Sequence, residues 1–189
     1  MAAIRILAAA ALGYALAMNS AAAENARREA GAHVHGAGRL GIVIEGNTVS
    51  LELDTPAHDV LGFEHAPRTA QQKAALETAV AKLKDASKVF RLTPAADCRP
   101  TKAEAGLEQP EAAQSGKEGD KGGNGGHGDF SGTFVFECGA IGKLTAIELG
   151  YFAAFPDAAK LAITIVTAKG QASREATRAA PRIDLSGID

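Results

Sequence analysis

His33, Val34, His35 and Gly36 form the stretch whose residue types and spacing most directly propose chemistry. Side chains on an extended segment alternate with a period of two, so the imidazoles of His33 and His35 project to one side and can grip a single metal ion. Neutral imidazole is a common nitrogen ligand of zinc, which takes about four N, O or S donors, or three plus a water. No local segment supplies three donors in suitable spacing, so any tight site must be assembled by folding. His65, beside Glu64, offers a third imidazole on a loop that Pro56 and Pro67 restrict. His127, two residues before Asp129, repeats the i, i+2 geometry with a carboxylate. The candidate metal ligands are His33, His35, His65 and His127, with His58, Asp129 and Glu64 as weaker candidates. Blander roles stand beside these: His58 as a solvated loop histidine, Asp59 and Glu64 as turn caps, and His65 as a hydrogen-bonded histidine beneath a hairpin.

Other chemistries find less support. HExxH and GxSxG are absent, and Glu64 next to His65 is the only suggestion of a positioned general base, so an enzyme is not expected. The 20 basic and 22 acidic residues give a formal charge of -2, which offers no basic patch for nucleic acid. Cys98 and Cys138 are the two cysteines and belong to no CxxC motif. In an oxidising compartment an even count favours a disulfide, here closing a loop of about 40 residues and contributing roughly 4 kcal/mol on the chain-entropy model.

An oxidising compartment is what the start of the chain predicts. Arg5, the apolar run from Ile6 to Leu12 and the small residues Ala21, Ala22 and Ala23 have the layout of a secretory signal cleaved after residue 23. The apolar stretch is short and alanine-rich for a membrane span, and no later segment is apolar for long enough. Residues 24–32 are polar without an apolar face and read as a mobile arm. Residues 33–189 are then expected to form a single domain.

The elements that must position the histidines follow from periodicity. Leu40, Ile42 and Ile44, a Gly46-Asn47 turn, and Val49, Leu51 and Leu53 predict a hairpin. Between residues 54 and 67 the alternation is lost, and a polar loop carrying Val60, Leu61 and Phe63 is expected to pack against the core. Thr69 with Gln72 reads as a capping box for a helix with Leu76, Val80 and Leu83 on one face, ending near Asp85. Phe90 and Leu92, and then residues 98–107, suggest short strands.

Residues 109–128 are dense in glycine and poor in apolar side chains, so they are expected to be a disordered surface insertion. Beyond them, Phe130, Phe134 and Phe136 lead to Cys138, while Leu144, Ile147 and Leu149 mark a further strand. Residues 161–167 give the strongest strand signal, Gly170 turns into residues 171–176, and Ile183 and Leu185 close the pattern. The predicted fold is α+β, an antiparallel sheet with one principal helix. The halves share an order of features: His35-Gly36 or His127-Gly128, a strand pair, then a bend with phenylalanine and proline at residues 62–67 or 152–156. The identity is too thin to demonstrate duplication, but a pseudo-twofold relation would set both histidine clusters at equivalent edges.

Taken in order, these motifs resemble the ZrgA-like family of zinc-binding periplasmic proteins: His33 to Gly36, Gly62 to Pro67 before a helix, Cys98 and Cys138 flanking an insertion, Phe152 to Pro156, and Gly170-Gln171. The resemblance spans about Ala32 to Leu185. It implies a secreted bacterial protein that binds zinc and is associated with a zinc-uptake ABC transporter, with His33, His35, His65 and His127 at the family's histidine positions. The insertion departs from the family's histidine-rich loop, since His127 at its end is its one histidine. A loop able to collect several ions is missing, and a site in the folded core is the main candidate. The expected function is that of a periplasmic zinc carrier or accessory factor in zinc uptake. The alternative is a metal-independent interaction module in which Phe152, Phe155 and the insertion meet a partner protein.

Overall fold

The computed structural model describes residues 34–108 and 128–187. The expected signal, the arm, His33, His127 and nearly all of the glycine-dense insertion lie outside the described residues.

The alternation in residues 40–53 forms a hairpin. Strands β1 (Ala37–Glu45) and β2 (Thr48–Pro56) are antiparallel, with Leu40 opposite Leu53 and Ile42 opposite Leu51. Gly46 in the turn has φ 57°, a left-handed conformation that glycine adopts without steric cost. A second hairpin joins β7 (Lys160–Thr167) to β8 (Gly170–Thr177), while β5 (Asp129–Cys138) pairs with β2 and β4 (Cys98–Glu108) pairs with β5. The resulting six-stranded sheet runs β4-β5-β2-β1-β7-β8.

This sheet is mixed, which corrects the expectation of an antiparallel one. β1 and β7 run parallel, with Leu40 level with Ile163 and Ile42 level with Ile165. Each belongs to its own hairpin, and a parallel pair needs a crossover instead of a tight turn. Here the crossover includes every element from β2 to the residues before β7. A second, antiparallel sheet has the order β3-β6-β9, formed by Phe90–Leu92, Ala146–Leu149 and Arg182–Asp184.

Helix α1 (Ala57–Leu61) follows β2 directly, α2 (Ala70–Lys84) is the principal helix, and α3 (Ala86–Val89) and α4 (Tyr151–Ala154) are single turns. The capping box of α2 is formed as read: Thr69 accepts from the Gln72 amide, and the Gln72 side chain accepts from the Thr69 amide. The α+β expectation nevertheless overstates the helices, and the described residues are mostly β. Nor do the two halves correspond. The strand pair expected after Gly128 is divided, with β5 in the large sheet and β6 in the small one, whereas β1 and β2 stay together.

One face of the large sheet supplies the core. Leu40, Ile42, Leu51, Leu53, Phe130, Phe134, Leu161 and Ile163 are buried in one cluster with Leu83 of α2, Phe90 and Ile147 of the small sheet, and Tyr151 and Phe152 of α4. Burial of each large apolar side chain contributes roughly 1.5–3 kcal/mol, so the alternating phenylalanines of β5 do much to fix the register. Cys98 lies opposite Cys138 and is disulfide-bonded to it, which fastens edge strand β4 to β5.

Candidate metal centre

The candidate ligands are positioned where β1 begins and β2 runs into α1. Gly36 has φ 79°, and a Cβ placed there would approach Ala159 Cβ to 3.1 Å. Its carbonyl accepts from the amides of Ala159 and Lys160 at 2.9 and 2.8 Å, tying the turn that carries His35 to the start of β7. Glycine is thus required by backbone conformation and by close approach together.

A buried polar chain holds the same turn from the other side. The Gly36 amide donates to Asp59 Oδ1 at 2.8 Å, the Thr55 hydroxyl donates to Asp59 Oδ2 at 3.3 Å, and the Tyr151 hydroxyl donates to Thr55 Oγ1 at 3.1 Å. The Asp59 side chain has no solvent exposure. Burial pushes its carboxyl above the ordinary carboxylate range, opposed by the hydrogen bonds from Gly36 and Thr55 and by the nearby imidazoles. Burial likewise raises the Tyr151 hydroxyl, so it serves as a neutral donor. Asp59 is therefore more than a turn cap, and nothing in its local sequence pattern discloses this. Pro56 before it and Gly62 after it frame a helix of five residues, too short to leave a periodic signal.

Around this anchor three candidate ligands meet. His35 Nε2 lies 2.7 Å from Glu64 Oε1, with the histidine side chain about half exposed and the carboxylate largely covered. The His35 ring stacks on that of His58, with centroids 4.4 Å apart and planes 2° from parallel. His58 Nδ1 is buried, has no hydrogen-bond partner among the described residues and lies 3.9 Å from Asp59 Oδ1. Gly128 ties this group to β5: its amide donates to the Glu64 carbonyl and its carbonyl accepts from the Ala57 amide, both at 2.9 Å. Asp129 follows, opposite Pro56 in the β2–β5 register.

His65 is engaged differently. With its proton on Nδ1 it donates to the Ala66 carbonyl at 2.9 Å, and its Nε2 accepts from the Gln72 side-chain amide at 3.4 Å. It also stacks on Phe63 at 5.2 Å. Its ring thereby extends the capping box of α2. His33 and His127 lie outside the described residues, although the first is two residues from His35 and the second is next in the chain to Gly128.

Two imidazoles and a carboxylate are a donor set that suits zinc. Among the described residues, however, no group of three or more His, Cys, Asp or Glu side chains is arranged to hold a metal ion. Among those residues, too, no helix is long and apolar enough to cross a membrane. A family model described as ZrgA family zinc uptake protein matches residues 32–185, and the chain belongs to that family. No curated protein matches it.

Proposed function

We propose that this member of a zinc uptake family is a periplasmic zinc-binding protein that serves as carrier or accessory factor, delivering the ion to components of a zinc ABC transporter. The observation that carries the reading is the meeting of His35, His58 and Glu64 beside Gly128, four positions from three separate segments. A carrier needs a folded site, and this junction is where the fold gathers imidazole and carboxylate. His33 and His127 are the chain neighbours of the junction that complete the ligand set, with Asp129 as a further oxygen donor. His65 joins by giving up its bonds to Ala66 and Gln72. One ion per chain follows, since the insertion has a single histidine. No catalytic step is assigned to the chain.

The secretory signal read in residues 1–23 and the Cys98–Cys138 disulfide support placement in an oxidising compartment. The test is titration of metal-free protein with zinc, followed by calorimetry and by native mass. Binding through imidazole must weaken as pH falls through about 6.5, the ordinary imidazole value, because a protonated ring has no lone pair to give. Zinc binding that is indifferent to acid down to pH 5 would rule out histidine as the main ligand.

A further inference from the structure

We propose that the free edge of β8 is a self-association surface, on which a second copy of this chain pairs antiparallel with Ser173 facing Ser173 across a twofold axis. The inference goes beyond the zinc-binding reading and does not depend on it.

The two edges of the large sheet are unlike. β4, at one end, carries Pro100, which has no amide to donate, a register shift between Pro100 and Lys102, and α2 packed beside it. Features of this kind keep an edge strand from pairing with other chains. β8, at the other end, has neither proline nor bulge and holds one register with β7 from Gly170 to Thr177. Its residues Gln171, Ser173, Arg174 and Glu175 are exposed.

The hairpin determines which backbone groups β8 offers. Thr167 faces Gly170 across a two-residue turn and forms the hydrogen-bonded pair that closes it, and the pattern alternates from there. Ala172, Arg174 and Ala176 direct their backbone groups to β7, while Gln171, Ser173 and Glu175 turn theirs outward. The Arg174 guanidinium donates to the Ser173 carbonyl at 3.0 Å, the side-chain bond of an oxygen that no neighbouring strand reaches.

Antiparallel pairing sets outward residues against outward residues, which limits the registers. Centred on Ser173, Gln171 of each copy faces Glu175 of the other, and Ala172 faces Arg174. Every outward residue then has a partner, and the Gln171 side-chain amide donates to the Glu175 carboxylate of the second copy. Arg174 lies over an alanine and gives up the Ser173 carbonyl to the Ser173 amide of the second copy. Lys160, 3.8 Å from Glu175, balances the same carboxylate from within its own chain. Registers shifted towards the end of β8 set Arg174 against Arg174 or Glu175 against Glu175, and like charges directly opposite destabilise a strand pair. Centring on Ala172 leaves fewer outward pairs within the strand, because Lys169 already belongs to the turn. The residue order of β8 thus selects a second copy in one register.

The test is the mass of the untagged mature protein by light scattering after size exclusion, with chelator present so that metal cannot bridge the copies. The expected mass is twice that of one chain. Ser173→Pro removes an amide that β7 does not use, at an edge position where proline is tolerated, and is expected to give the monomer mass with unchanged circular dichroism. A wild type of monomer mass, or a folded Ser173→Pro that stays dimeric, would overturn the proposal; the first result would leave the edge to an extended segment of another protein. Should proline prevent folding, cross-linking decides. Ser173→Cys places its thiols on α-carbons about 5.5 Å apart, within disulfide range, and is expected to give a covalent dimer on mild oxidation. Gln171→Cys sets them more than about 13 Å apart along the strands and is expected to stay unlinked. Failure of Ser173→Cys to cross-link, or equal cross-linking of the two variants, would overturn the proposal.

Discussion

The rings of His35 and His58 lie face to face, 4.4 Å between centroids and 2° from parallel. An imidazole lone pair lies in the plane of its ring, so two parallel stacked rings direct their lone pairs along separate planes. One zinc about 2.0–2.1 Å from a nitrogen of each cannot sit on both axes. Shared coordination therefore has to part the stack. Proton NMR of the two rings should show each losing the other's ring-current shift on addition of one equivalent of zinc. Shifts that stay as in the metal-free protein would mean that at most one of the pair is a ligand.

Gly36 sits between that stack and the sheet. Its left-handed φ of 79° and the 3.1 Å approach to Ala159 Cβ both resist a side chain. Gly36→Ala should destabilise the fold by roughly 1–2 kcal/mol, the usual cost of a left-handed conformation for a residue with a Cβ, and should weaken zinc binding as the His35 turn shifts. Urea unfolding of the metal-free protein measures the first effect and zinc titration the second. A variant as stable as the wild type would show that the turn relaxes freely.

Burial raises the Asp59 carboxyl above its ordinary 3.8, so the folded protein keeps that proton to higher pH than the unfolded chain does. Over the window from 3.8 up to the raised folded value the folded state binds more protons, and this contribution to stability is lost as pH rises. Asparagine cannot titrate. In metal-free protein, the unfolding free energy of Asp59→Asn relative to wild type should therefore improve as pH is raised through that window. Urea denaturation at a series of pH values checks it, and a constant difference would contradict the sign.

The disulfide joins an edge strand with few deeply buried side chains to β5. Cys98→Ala with Cys138→Ala should cost about 2–4 kcal/mol in unfolding free energy. Exchange of the β4 amides should accelerate more than that of β1 and β2, which are paired on both sides. Uniform acceleration across the sheet would instead mark β4 as part of the same cooperative unit.

The parts legible in the sequence were those fixed by neighbours a few residues apart. Alternation across Gly46-Asn47 determines the β1–β2 hairpin, and Thr69 with Gln72 determines where α2 starts, because each device is complete within a short window. The parallel β1–β7 pair depends on Leu40 and Ile163 meeting across most of the chain, and no local pattern distinguishes it from an antiparallel pair. At the candidate site the residue types were readable but not their grouping. The spacing pairs His35 with its neighbour His33, yet the contacts of His35 with His58 and Glu64 depend on how β2 passes into α1. The restricted loop favours His65 as the third ligand, but the contacts of its ring with Ala66, Gln72 and Phe63 depend on how that loop meets the cap of α2. Asp59, between a histidine and two apolar residues, carries no sequence mark of its burial.

Calorimetric titration of metal-free mature protein with zinc tests the central claim most directly, run beside a variant with His33→Ala and His35→Ala. The account predicts close to one zinc per chain in the wild type and binding lost in the variant, whose circular dichroism should be unchanged. Absence of zinc-dependent heat or mass shift at micromolar metal in the wild type, or undiminished binding in the folded variant, would contradict it.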